Sequence, residues 1–211
     1  MLYDTQLKMA YWVAYPLCNY YTTKNVKRTN AWAYDPSLSS EEQATMKRGL
    51  NGYDRGHQIP SADRLVTREA NEQTFYYTNM TPQIGRGMNQ HIWQKLETAV
   101  RGWSSNIDTL YVVTGAMPTT PENTTISYTQ DNDGKQIAVP KYYFKALCRI
   151  NRATGEAQTI AFKLENRAYP NGESYMNHTL SVAELERMTG FVFFPMIREQ
   201  DKQTYDKSKW N

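Results

Sequence analysis

The order of apolar and polar positions divides the chain into strand-like and helix-like stretches. Tyr11 to Leu17 (YWVAYPL) is rich in aromatic and β-branched residues and predicts a strand. Pro16 marks an edge position or the strand's end, because it has no N–H to give to a ladder. Residues 19–40 are polar and irregular, with a turn at Asp35-Pro36. Ser39-Ser40-Glu41-Glu42 has the form of a helix start, Ser39 as cap and Glu42 at the capping-box position. Asn51 to His57 is punctuated by glycine and has no helical period. Thr67 to Gln73 predicts a short helix capped by Thr67, and Tyr76 to Met80 a short strand.

From Asn89 the period turns helical. Ile92, Leu96, Ala99, Val100 and Trp103 fall on one apolar face, with Gly85 and Gly87 before the helix and Gly102 near its end. Thr109 to Gly115 predicts a buried strand. Residues 118–135 are rich in turn formers, with Asp133-Gly134 as a hairpin signal. Strands are expected over Lys141 to Ile150 and Ala157 to Lys163. A last helix over Ser181 to Met188 has Ser181 as cap, Glu184 at the capping-box position and Gly190 as stop. Strands and helices interleave without a strict βαβ rhythm, which predicts an α+β fold. With 211 residues, no internal repeat and no linker-like segment, one domain over 1–211 is expected.

Composition adds little to this picture. The net charge is +3, small for a protein that coats nucleic acid. Its distribution says more: between Asp4 and Asp35 there is no acidic residue, while Lys8, Lys24, Lys27 and Arg28 lie there. Such a stretch is either a solvated loop or a patch that holds phosphate backbone. Two cysteines, Cys18 and Cys148, are too few and too far apart for a zinc site. They form either one disulfide or two buried thiols, and spacing does not decide between them. No apolar run approaches the ~20 residues that cross a bilayer, so no membrane span is expected.

Candidate chemistry concentrates in two places. Asp54-Arg55-Gly56-His57 puts a guanidinium two residues from an imidazole, on one side of an extended strand. A lone histidine is more often structural. Here an Arg fork for a phosphate stands beside a base able to deprotonate water, and Gly56 lets substrate approach. The second place is the helix, where Asn89, Trp93 and Glu97 form one stripe. An amide oxygen suits a hard cation such as Mg²⁺, and Glu97 leans back toward it. The bland alternative is an Asn that caps the helix and a Glu that faces solvent.

These motifs together resemble the DNA/RNA non-specific endonuclease family, of the His-Me finger (ββα-metal) class. The resemblance is carried by Asp54 to His57, by Asn79-Met80-Thr81-Pro82-Gln83, and by Asn89 to Glu97 (NQHIWQKLE). Leu110 to Gly115, Val139-Pro140 with Phe144-Lys145, and Glu186 to Pro195 continue it, so it covers about Tyr11 to Pro195. It implies a central, mainly antiparallel sheet flanked by helices, with a ββα-metal site. It implies His57 as general base, Asn89 as the one side-chain metal ligand, and Glu97 as partner of a water on the metal. Arg55 would contact phosphate, Asn79 would hold the imidazole, and Arg28 and Arg86 are further candidates for nucleic-acid contact. The cofactor would be Mg²⁺, with Mn²⁺ as substitute, and the substrates DNA and RNA, cut with little sequence preference to leave 5′-phosphate ends. Activity would fall below the imidazole pKa, near ~6.5. A monomer or homodimer is expected.

Export to the periplasm, cell surface or medium of a bacterium is also expected. A general nuclease endangers its own genome, and a Cys18–Cys148 pair would suit an oxidising compartment. One alternative is a catalytically silent nucleic-acid-binding protein on the same fold, against which the full set His57, Asn79, Asn89 and Glu97 argues; another is a structural-interaction protein, and a metal-dependent plasmid-nicking assay separates both from an enzyme.

Overall fold

The computed structural model describes residues 1–210. Strands run over Leu2–Asp4 (β1), Met9–Leu17 (β2), Asp54–His57 (β3), Met80–Gln83 (β4), Leu110–Met117 (β5), Ser127–Gln130 (β6), Gln136–Val139 (β7), Tyr142–Ile150 (β8), Ala157–Glu165 (β9) and Thr179–Leu180 (β10). Helices run over Asn19–Thr22 (α1), Arg68–Gln73 (α2), Gln94–Ser104 (α3), Val182–Thr189 (α4) and Gln200–Gln203 (α5). A π-helical segment, Gly85–Trp93, leads straight into α3.

The fold is α+β. A six-stranded sheet in the order β1-β2-β5-β8-β9-β10 is antiparallel throughout. Because successive side chains point to opposite faces, β8 feeds two cores at once. Tyr143 and Leu147 join Ile92, Leu96 and Val100 beneath α3. Tyr142, Phe144 and Ala146 join Val182 and Leu185 beneath α4. A strand covered on both faces reads as an unbroken apolar run, as β8 does. Pro16 lies past the residues that β1 pairs, so its missing N–H costs no ladder bond. Two two-stranded ribbons stand outside the sheet, β3–β4, whose strands are joined through α2, and the hairpin β6–β7. The second turns at Gly134, where Asp131 accepts from the backbone N–H groups of Asp133 (2.9 Å) and Lys135 (2.8 Å).

Several local expectations hold. Thr67 caps α2 by accepting from Ala70 N. Ser181 and Glu184 close a capping box on α4, and Gly190 ends it at φ 74°.

Two differ. Glu42 accepts from the Ser39 N–H (3.0 Å) and from the Ser39 hydroxyl (2.8 Å), so that hydroxyl donates instead of capping the Glu42 N–H, and no helix follows. The buried Gln43 side chain donates to the carbonyls of Asp35, Leu38 and Ser39, and Asp131 takes the Thr45 N–H, so side chains satisfy the backbone instead. Tyr76 to Met80 is not a strand. A 3-10 turn, Tyr77–Asn79, precedes β4, because the Asn79 side chain ties back to Ile59 and Thr74.

Cys18 and Cys148 are free thiols, Cys148 buried in β8 and Cys18 half-buried beyond the end of β2. The disulfide left open by the sequence does not form.

Candidate active site

The antiparallel β3–β4 pair followed by the π segment and α3 is a ββα unit. Its register sets Asp54 opposite Gln83, Arg55 opposite Pro82, Gly56 opposite Thr81 and His57 opposite Met80. Alternation along β3 then gives each face its own work.

One face carries Arg55 and His57 onto an aromatic bed. The His57 ring meets Trp32 edge-on at 5.5 Å and Phe75 at 5.2 Å, and those two rings meet each other at 4.8 Å. The Arg55 guanidinium lies 3.4 Å over the Trp32 ring and donates to the carbonyls of Met46 (3.1 Å) and Lys47 (2.8 Å). Arg28 lies 4.7 Å over Phe75. Its loop is held by Thr29, whose N–H reaches Asn71 Oδ1 on α2 at 2.9 Å. The least patterned of the arginine candidates thus sits beside the imidazole. Arg86 is exposed at the opening of the π segment.

His57 Nε2 is buried and has no hydrogen-bond partner. The bond to the Arg55 backbone therefore falls to Nδ1, leaving Nε2 as the lone-pair nitrogen. Burial, and after it the Arg28 charge, pull the imidazole pKa down to about 3. His57 is neutral at any physiological pH, so the acid limb expected near ~6.5 is not its own.

Asn79 does not hold the imidazole. Its Oδ1 accepts from the Ile59 N–H (3.0 Å), and its Nδ2 donates to the carbonyls of Ile59 (3.0 Å) and Thr74 (2.8 Å). These bonds occupy the amide. Asn79 instead pins the chain two residues past His57, fixing where β3 ends.

The other face of β3 carries Asp54 and Gly56. Asp54 Oδ2 accepts from Asn89 Nδ2 (2.9 Å) and Gln90 Nε2 (2.8 Å). Gly85 makes room for it, since a Cβ there would lie 2.8 Å from Asp54 Oδ1. A Cβ on Gly56 would likewise overlap the Gln83 side chain. Asn89 is placed by a π-type bond from its N–H to the Ile84 carbonyl at 2.9 Å. With Nδ2 committed to Asp54, its Oδ1 is the end left for a ligand. Gln83 is fully buried and neither atom of its amide has a partner. Among the described residues no cluster of three or more His, Cys, Asp or Glu side chains could hold a metal. The donor set of one amide oxygen, one carboxylate nearby and an unpartnered buried amide fits a hard cation that keeps most of its waters.

Glu97 lies on α3 beside a polar island within the α3-side core. Tyr15 donates to Asp63 Oδ2 at 2.8 Å, and Arg101 to Asp63 Oδ1 at 2.9 Å. Burial pushes the Glu97 carboxyl up to about 7, while Lys145, Arg101 and Arg28 pull it down. Glu97 is half-buried, with this polar island beside it, and so differs from a free surface carboxylate.

Sequence reasoning missed Trp32 and Phe75, which lie in stretches with no motif, and the Asp54 contact to Asn89. Asp54 stood in the quoted motif, and a carboxylate that close to a metal ligand was the available signal.

The family described as DNA/RNA non-specific endonuclease matches residues 1–200. The chain is 31% identical over 208 residues to a nuclease of Syncephalastrum racemosum, covering 92% of this chain and 65% of the relative. It is 28% identical to the mitochondrial nuclease of Saccharomyces cerevisiae, covering 97% of this chain and 66% of the relative. The chain thus spans just under two thirds of the length of these relatives. A solved structure of an EndoG/EndoGI complex matches the fold with a TM-score of 0.78 at 24% identity, covering 96% of this chain and 85% of the matched one. The expectation of bacterial export is overturned. Several of the relatives are mitochondrial nucleases, including those of Saccharomyces cerevisiae, Schizosaccharomyces pombe and Bos taurus. The free cysteines remove the other ground for it.

Proposed function

The chain belongs to the DNA/RNA non-specific endonuclease family, and on that premise we propose that it hydrolyses internal phosphodiester bonds of DNA and RNA as one domain over 1–211, leaving 5′-phosphate ends. The observation that supports this best is His57: a buried Nε2 without a partner, kept neutral beside two guanidinium groups. An unpaired buried acceptor costs about 1–3 kcal/mol, and a structural histidine would have found a partner.

Nε2 accepts a proton from water as the oxygen attacks phosphorus, and the 3′ oxygen departs opposite, taking a proton from solvent water. Nδ1, bonded to the Arg55 backbone, holds the ring in that tautomer. Arg55 and Arg28 hold phosphate oxygens from the aromatic bed, and exposed Arg86 meets the nucleic acid further out. Asn89 offers Oδ1 to a divalent cation, Mg²⁺ or Mn²⁺, with Asp54 fixing its amide. That cation, when bound, neutralises charge on the scissile phosphate and the departing oxygen. Glu97 accepts a hydrogen bond from water in this space. Contacts to phosphate carry no base information, so both sugars and most sequences are cut.

Plasmid DNA and RNA digested side by side, with product ends mapped by phosphatase and kinase labelling, test this reading. Internal cuts bearing 5′-phosphate on both polymers are expected; 3′-phosphate ends, or no cleavage with Mg²⁺ or Mn²⁺ present, would defeat it.

A further inference from the structure

Lys145 is an unusual residue to find where it is. It sits in the middle of β8, side chain 1% exposed in the α3-side core. A lysine is almost never fully buried unless it is paired. Its Nζ makes one hydrogen bond, to Thr114 Oγ1 at 3.1 Å across the β5–β8 ladder. It also lies 4.6 Å over the ring of Trp93. No carboxylate lies within ion-pair distance of it among the described residues. A hydroxyl and an indole face offset only part of the cost of burying an ammonium.

The rest comes from α3. Trp93 and Glu97 are one turn apart on the same helix face, and helical side chains lean toward the N-terminus. The Glu97 side chain therefore leans back over the turn whose indole Lys145 covers. Each is the strongest charge felt by the other: Lys145 is the first charged group acting on Glu97, and Glu97 the first acting on Lys145. The remaining charged and titratable groups facing Glu97 are Asp63, Arg101, Arg28 and Tyr15. Asp63 is already engaged by Arg101 and Tyr15, and Arg28 lies out on the Phe75 ring.

We infer that Lys145 is a positioning residue for cleavage: its buried ammonium, fixed by Thr114 and Trp93 beneath α3, holds Glu97 as a carboxylate at the pH where the site works. The inference rests on the reading of Glu97 as a water-accepting group in the site. Without Lys145, only Arg101 and Arg28 oppose the burial of Glu97, which then keeps its proton to higher pH and loses its acceptor role where the site works. Burial lowers the Lys145 pKa while Glu97 supports its charge, so the two stabilise each other's ionised forms.

The test is Lys145→Met, which keeps the stem over Trp93 and exchanges a buried charge for an apolar end, a change buried ionic groups often tolerate. Two quantities are read on wild type and variant: the Glu97 carboxyl titration, by ¹³C NMR of the metal-free protein, and the pH–rate profile with Mg²⁺. The Glu97 midpoint is expected to rise by about one pH unit or more, and the acid limb of the profile to rise with it. An unchanged Glu97 titration overturns the inference. A Glu97 midpoint that rises while the rate profile stays put supports the Lys145 coupling, and it is then the role of Glu97 in cleavage that fails. Should Lys145→Met not fold, Glu97→Gln carries the reciprocal test: the Lys145 amine must then titrate at lower pH, and an unmoved amine overturns the coupling.

Discussion

On the α4 side of the central sheet, Val113, Tyr142, Phe144, Ala146 and Phe193 close an apolar, largely aromatic core. On the α3 side the same strands also carry Tyr15, Thr114 and Lys145, set against Asp63, Glu97 and Arg101. The strands are shared, so the difference lies in what each face is for. The α4 face needs only shape and area. The α3 face backs the ββα unit, and there polar groups are buried at a cost that packing elsewhere must offset. Stability and chemistry are therefore expected to separate by face.

The largest effect should come from the imidazole. His57→Ala is expected to lose cleavage by at least about 10³-fold while DNA binding, by filter retention without metal, and the melting temperature stay near wild type. Retained cleavage would place the base elsewhere.

The converse variant lies on the other face. Phe144, fully buried and 5.5 Å from Phe193, should cost about 3–5 kcal/mol when truncated to Ala, read from urea melts. The fraction that remains folded should cut at the wild-type rate. A large fall in turnover per folded molecule would show that the two faces are coupled.

The pH profile sharpens the contrast. Glu97 must be ionised to accept, and burial sets its pKa at about 7, so activity should fall as pH drops through that value. Added Mg²⁺ favours the carboxylate and should carry the limb to lower pH. A limb that ignores Mg²⁺ and survives in Glu97→Gln would belong to another group. A carboxyl with a raised folded pKa gives its full stability below its unfolded value and loses it as pH rises through the folded value. Glu97→Gln should therefore raise the melting temperature at pH 8 and leave it nearly unchanged at pH 4.

The smallest effect is a cap. Ser181→Ala opens the capping box of α4 and should cost about 1 kcal/mol, with no change in cleavage.

Much of this was legible in the sequence, and the exceptions share a cause. The strand at Tyr11, the caps at Thr67 and Ser181, the hairpin at Gly134 and the apolar face of Ile92, Leu96 and Val100 follow from local pattern. The ββα unit followed from a motif whose residues are neighbours in the chain. What escaped depends on partners far along it. The Ser39 helix start is overruled by Gln43 and by Asp131, 86 residues beyond the Thr45 N–H it takes. Asn79 turns from the imidazole to the backbone of Ile59. Lys145 reads as one polar residue in an apolar strand, and only the packing of α3 shows that it is buried against Trp93. The Cys18 and Cys148 thiols stay apart although both lie toward the same end of the sheet, because β5 stands between β2 and β8.

The central claim is that an amide oxygen on Asn89, fixed by Asp54, brings the divalent cation to a neutral His57. It is tested most directly by cleavage of plasmid DNA across a Mg²⁺ titration, with EDTA as the zero, for wild type and Asn89→Ala, each with a thermal melt. Wild type is expected to be silent in EDTA and to saturate only at weak-binding Mg²⁺ concentrations, while Asn89→Ala loses turnover at every concentration and melts close to wild type. Cleavage in EDTA, or an Asn89→Ala protein that cuts normally, would contradict the account.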